Sequence, residues 1–555
     1  MNNEDLKTRL NLVAVRIKEI FRYTEEKSGE VVYIDYNNNL NNVQTKCNTV
    51  IYGRRGSGKT TLLVALKINA ERKKVATTFI DYNLYTDHRY PDLLIANLIK
   101  IFEDLRNKVQ TKKHFVLNLS GKRKKNKIVN ALNKDIADLN SLKDLPIEYD
   151  QDLEQGLSES KNSNAQFSEQ ANIIGSSMSA SLSSGKSSTK EIKSRIKLNM
   201  KKIDFLYKNI DTYRSTLSST IIYLNQSALF LLLDDFYHVQ VEDQPHVIDY
   251  LFRLCKGQKA YLKIASISHR TKLYERESDG APHGLEESAD LQKIDLDFLL
   301  QRFDETESFL QKILSDICSM FKIKDAQDLF VATDNGFKRL VWASGGVPRD
   351  FLQLFVYCVS QMDFSKETPK IDFHVINKAA HNLFLDKQKN LETKYAKKKE
   401  LDVYFNEVFD FCTKYNKRTA FLVNKGTKQE EKETLDKLND LIDFKIVHLI
   451  HSNLHLTHTS KDVFEAYCLD LGSYALWLHK KVEGYELAET DILKKDEKGY
   501  PQTIRALRES NTLSKENLIK SREEIHKINE KILQQAVKDK EENPQSQLFP
   551  WIKSV

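Results

Sequence analysis

Residues 48–67, NTVIYGRRGSGKTTLLVALK, constrain the fold of this chain more than any other stretch. An apolar run ends at Gly53, a glycine-rich turn follows, and a helical pattern starts near Lys59. That succession predicts strand, loop and helix. Gly53, Arg54, Arg55, Gly56, Ser57, Gly58, Lys59 and Thr60 fit G-x-x-x-x-G-K-[ST] at every defined position. Glycine lets the backbone wrap closely enough for its N–H groups, with the N-terminus of the next helix, to surround phosphate oxygens. Lys59 adds charge at the β- and γ-phosphates, Thr60 offers a hydroxyl to magnesium, and Thr61 completes the residues expected to touch the nucleotide. The expectation is an ATP site with Mg2+ as its cofactor.

Such a loop needs a carboxylate partner for the metal. In ALFLLLDDF, residues 228–236, six apolar residues precede two aspartates. A continuous apolar run reads as a central parallel strand buried on both faces, which places Asp234 at its C-terminal end beside the phosphate loop. Asp234 is expected to help hold magnesium, and Asp235 to orient or activate the attacking water. A helical stretch at residues 244–256 leads to AYLKIASISHR, residues 260–270, a second apolar strand with a polar end. Ser268 or His269 is expected to sense the γ-phosphate, and Arg270 to reach it in its own or a neighbouring subunit. Arg253, near the end of the preceding helix, competes for that arginine role.

At 555 residues the chain exceeds one ordinary domain of roughly 100–200 residues, so three or four are expected. Its 40% hydrophobic and 29% charged residues exclude collagen-like, mucin-like and wholly disordered classes. No run approaches the roughly 18 apolar residues of a membrane span, and MNNEDLKTRL lacks the layout of a signal peptide, so a cytoplasmic protein without a membrane partner is expected. Six cysteines without a C-x-x-C spacing argue against a zinc ribbon or a disulfide framework. The net charge of +7 is too mild to name a partner, but its distribution is uneven. Residues 106–135 hold ten basic residues against one acidic, a local +9, dense enough to neutralise several phosphates of DNA or to form a solvated face.

Further along stands SGGVPRDFL, residues 344–352. With the phosphate loop, the acidic strand and the strand ending in Ser-His-Arg, it resembles the origin-recognition-complex branch of the AAA+ ATPases and the neighbouring STAND signalling ATPases, in the manner of a bacterial accessory or defence ATPase. The resemblance covers residues 30–60, 75–105, 226–275 and 295–480. It implies that Arg349, at the start of a lid helix, contacts the nucleotide phosphates. Chemically the position suits an anion, because a helix N-terminus with proline in its first turn is preorganised for one. Asp235 stands where the family usually has glutamate, which implies slow turnover.

The expected fold is α/β, a P-loop parallel-sheet ATPase core with a helical lid, a C-terminal winged helix and a large helical insertion. The expected divisions are 1–105 and 226–294 for the core, 106–225 for the basic, Ser/Gly-rich insertion, 295–394 for the lid, 395–480 for the winged helix and 481–555 for a C-terminal helix and tail. Periodicity in residues 190–216 makes the insertion a helical hairpin projecting from the core. In the winged helix, residues 444–450 and 454–457 read as a wing hairpin around Ser452 and Asn453, and His448, His451, His455 and His458 read as surface histidines rather than zinc ligands. Winged helices often enter the DNA major groove, yet in STAND proteins the module packs on the ATPase. A homo-oligomer is expected. DNA and an effector protein are both open as partners. Residues 514–537 read as an amphipathic helix, followed by an apolar tail at 548–552.

Overall fold

The computed structural model describes residues 3–20, 33–112, 119–145, 189–276, 282–333, 335–394, 398–416, 418–426, 429–456, 461–475 and 510–542. It divides into two units. One is Tyr23–Leu296; the other joins Met1–Arg22 to Asp297–Val555. The expected first part of the core, 1–105, therefore loses its opening helix, α1 (Asn3–Ile20). Leu10, Val13 and Ile17 of α1 are fully buried in the apolar core of the second unit, and that burial decides where the helix belongs.

In the Tyr23–Leu296 unit, strands β1 (Thr49–Tyr52), β2 (Val75–Asp81), β3 (Ala228–Asp234) and β4 (Ala260–Ser266) precede a short hairpin, β5 (Tyr274–Glu275) and β6 (His283–Gly284), and then β7 (Gln292–Asp295). The five longer strands form one parallel sheet of order β2-β3-β4-β1-β7. Helix α2 (Asn39–Val43) and α3 (Lys59–Arg72) cover one face; α4 (Asp92–Thr111), α5 (Leu119–Lys143), α6 (Thr189–Leu224) and α7 (Gln244–Cys255) are stacked over the other. Alternate residues serve the two layers. Leu229, Leu231 and Leu233 join the α4–α7 core, while Phe230 and Leu232 join that of α3. With both faces covered, β3 has no polar side, so its sequence shows no alternation. Each buried leucine contributes about 1.5–3 kcal/mol.

The helices of the insertion do not stand clear of this core. Leu132, Ile136 and Leu139 of α5 and Leu206, Tyr213 and Leu217 of α6 share the apolar cluster of α4 and the sheet. Lys202 Nζ donates to Asp92 Oδ1 at 2.7 Å, fastening α6 to the start of α4. The expected projecting hairpin is instead packed onto α4 and, through α6, onto α7, because α5 and α6 carry enough apolar residues to be buried there. Most of its Ser/Gly-rich middle, residues 146–188, lies outside the described residues.

In the other unit, α1 packs with α8 (Phe303–Ser319), α9 (Gly336–Ala343), α10 (Pro348–Ser360) and α11 (Phe373–Lys394). Then follow α12 (Lys398–Asp410), β8 (Ala420–Asn424), α13 (Gln429–Asp443), β9 (Val447–Leu454), β10 (Phe464–Leu469), α14 (Leu471–Tyr474) and α15 (Lys515–Glu542). Strands β8, β10 and β9 make an antiparallel sheet in that order. The expected turn at Ser452 and Asn453 is absent: both lie within β9, which pairs with β10 through an irregularity near His451. The apolar run of β10 gives β9 a ladder partner along its whole length, and that pairing overrides the local turn preference. The six cysteines are free, five of them buried and Cys47 half-buried. No helix among the described residues is long and apolar enough to cross a membrane.

Candidate functional site

Because the sheet is parallel, the C-terminal ends of β1, β2, β3 and β4 lie along one edge. Asp81 is level with Asp234, and Tyr52 with Ser266. The turn between Tyr52 and α3 opens onto that edge. Gly56 and Gly58 sit at φ 91° and 99°, where a side chain would be strained. At Gly53 a Cβ would lie 2.3 Å from Ser57 Oγ, so the glycine lets the loop close on itself. Ser57 Oγ is buried without a hydrogen-bond partner. Lys59 is also buried; its Nζ donates to Gly53 O at 2.8 Å and Arg54 O at 3.1 Å, and stands 5.9 Å from the centre of the Tyr237 ring. The first turn of α3 has no acidic residue, which leaves its N-terminal end positive.

Thr60 follows Lys59, and its side chain lies close enough to the Asp234 carboxylate to help hold its pKa down. Burial pushes the Asp234 carboxyl up to about 7, with the neighbouring Asp235 adding to the rise and Thr60 and Lys59 opposing it. Asp235 is half-buried, donates its N–H to Asp234 Oδ1 at 3.1 Å, and holds φ 51°. Left-handed backbone at a non-glycine residue costs energy and is found where surrounding structure enforces it. Here it turns the chain straight from β3 into the segment Phe236–His238.

Three residues in this cluster are not singled out by the sequence patterns. Asp81 ends β2 beside Asp234 and contributes to raising its pKa, while its own Oδ1 accepts the Asn83 N–H at 2.9 Å. Its signal is the same as that of Asp234, an apolar strand ending in a carboxylate, but in a run diluted by two threonines. Tyr237 and His238 lie within the fields of Arg55, Asp235 and Arg270; burial raises the phenol of Tyr237 and lowers the imidazole of His238. Nothing in their spacing announces them.

The two arginines expected to compete are placed differently. Arg270 shares the surroundings of Tyr237 and His238. Its backbone is fixed by buried Gln244, whose Nε2 donates to Val239 O at 2.8 Å and Arg270 O at 3.0 Å. Arg253 instead pairs with Asp249 at 2.6 Å, one turn back on α7. Ser268 and His269 are exposed beyond the end of β4. The buried hydroxyl at that strand end belongs to Ser266, hydrogen-bonded to Thr271 Oγ1 at 2.5 Å.

Arg349 is the second residue of α10 and exposed. Its neighbour Asp350 is buried against Lys445 and Lys387, the latter at 3.3 Å. Lys387 also reaches Asp470 Oδ2 at 2.7 Å, and His448 Nε2 lies 2.9 Å from the same oxygen. His448 is thus a buried residue bonded to the Asp470 carboxylate and not the surface histidine expected. It is gathered in because Gly345, at φ 58°, has no side chain: a Cβ there would lie 2.2 Å from His448 Nδ1. His451 is half-buried, His455 is exposed, and His458 lies outside the described residues.

No protein-family model matches this chain, and no curated protein does. The chemistry therefore rests on the residues themselves. Among the described residues no three or more of His, Cys, Asp and Glu form a metal cage. Magnesium does not require one, since it takes much of its octahedral shell from water and substrate phosphates. An unpartnered serine hydroxyl inside a positive loop, next to Thr60 and Asp234, fits a magnesium–nucleotide.

Proposed function

We propose that this chain is a magnesium-dependent ATPase switch of the AAA+ type that assembles into oligomers. The observation that carries the proposal is the glycine loop itself, with the unpartnered Ser57 hydroxyl and the buried Lys59, at the sheet edge where β3 ends in Asp234. Thr60 and Asp234 would hold the ion, which neutralises charge on the phosphates. Backbone N–H groups of residues 54–60 and Ser57 Oγ donate to phosphate oxygens, and Lys59 leaves its two carbonyl acceptors for the terminal phosphates. Asp235, on its left-handed turn, takes the proton of the attacking water. Arg270 is the arginine supported for transition-state charge; Arg349 enters on its G-x-P-R motif alone.

Duplex DNA is the partner in this reading. A second reading, a STAND-type scaffold that recruits an effector protein, is favoured by α13, the helix that would enter a groove in a winged helix. It carries six carboxylates against two lysines, a poor match for phosphates. ATP turnover measured with and without double-stranded DNA separates the two: stimulation supports the DNA switch, indifference the scaffold. Lys59→Ala is expected to abolish ATP binding, and Asp235→Asn to keep binding while slowing hydrolysis about a hundredfold. Unchanged nucleotide affinity in Lys59→Ala would overturn the ATPase assignment altogether.

A further inference from the structure

Helix α5 carries charge that the nucleotide site does not use. Its buried side, Leu132, Ile136 and Leu139, decides which side meets solvent. From residue 122 to 134 the exposed positions are Lys122, Arg123, Lys124, Asn126, Lys127, Asn130, Asn133 and Lys134. Every one is a lysine, arginine or asparagine, and no carboxylate occurs from residue 119 to 134. Arg123, Lys127, Asn130 and Lys134 stand at i, i+4, i+7 and i+11, a straight stripe about 16 Å long. None of its three cations makes an ion pair among the described residues. Other basic residues of the region are tied down. Lys125 Nζ donates to Gln110 O at 2.9 Å, Lys112 Nζ to Tyr223 O at 2.7 Å, and Arg106 lies 3.7 Å from Glu103.

We propose that this face of α5 is a rail for the phosphodiester backbone of duplex DNA, bound without reading sequence. The inference deepens the DNA half of the proposed function and is independent of the ATPase half. Composition selects the partner. Protein interfaces surround an apolar core and are depleted in lysine, whereas this face has nothing apolar to bury. Single-strand sites add aromatic rings on which bases stack, and none is exposed here. Lysine, arginine and asparagine all donate to phosphate oxygens, and a helix anchored along its other side presents them at fixed spacing.

The test measures binding of the full chain to two short duplexes of unrelated sequence, across a salt series. R123E/K127E/K134E should weaken both alike, by roughly tenfold or more at low salt, and flatten the slope of log affinity against log salt by about two to three units. An unchanged circular-dichroism spectrum and melting temperature show that this variant is folded. K312E/K366E/K370E makes the same charge change elsewhere and should bind like the wild type; equal loss there would reduce the effect to net charge and overturn the rail. So would rail-variant affinity equal to wild type, loss for only one duplex, or a wild type that ignores duplex and binds polyglutamate. Lys59→Ala should still bind DNA, so a failed ATPase assignment leaves this result readable.

Discussion

Asp234 is held protonated near neutrality by burial and by Asp235, and this gives the site a pH signature. In the proposed ATPase magnesium would need the carboxylate, so its binding would displace the proton. Affinity for magnesium–ATP should rise by up to roughly tenfold per pH unit below about 7 and level off above it. Calorimetric titration across that range checks it; a flat profile would show that Asp234 does not meet the metal, and Asp234→Asn should remove the slope. The linkage to folding has the opposite sign. A carboxyl with a raised folded pKa binds more protons folded than unfolded between about 4 and 7, so its contribution to stability falls as pH rises through that window. Asp235 itself is legible as the residue after a strand-ending aspartate, but its left-handed backbone is not, because the conformation is imposed by the turn out of β3.

Between elements, the decisive contact is ionic. Asp350 at the start of α10, Lys387 in α11, Lys445 before β9, His448 in β9 and Asp470 after β10 are drawn together away from water. Burial alone would raise the Asp350 carboxyl, yet Lys445 and Lys387 hold it down at about 2. Breaking such a set leaves uncompensated charge, so Lys387→Met should cost about 3–5 kcal/mol in denaturant unfolding. Lys425→Met, which removes a more exposed pair with Glu465 at 3.1 Å, should cost about 0–1 kcal/mol. Similar losses in the two variants would show that the buried set is not charged. The glycine-rich SGGVPRD stretch resembles a nucleotide-sensing motif in sequence, but its first glycine is needed for the ring of His448.

On the scale of the whole molecule, the chain leaves one unit after its first helix and returns to it only after residue 296. Leu10, Val13 and Ile17 are completely buried among residues far away in sequence, including Leu310, Leu354 and Phe355. Deleting residues 1–22 should therefore expose apolar surface on the Asp297–Val555 unit and remove about 5–9 kcal/mol of burial. Limited proteolysis followed by mass spectrometry should show faster cleavage in that unit, with cleavage inside Tyr23–Leu296 unaltered. Faster cleavage confined to Tyr23–Leu296 would contradict the assignment of α1.

Local chemistry is what the sequence alone determines here. A glycine loop between a strand and a helix, and an apolar run ending in paired aspartates, are readable because each depends on neighbours within a few residues. The α/β class follows from the same runs. Tertiary structure alone brings Asp81 level with Asp234, places Arg270 beside Tyr237 and Arg253 beside Asp249, and turns the lysines and arginine of α5 outward along one stripe. It also buries His448 and carries α1 across to a distant core. These outcomes depend on which apolar faces meet after the chain has folded back on itself, and residue spacing holds no record of such long-range pairings.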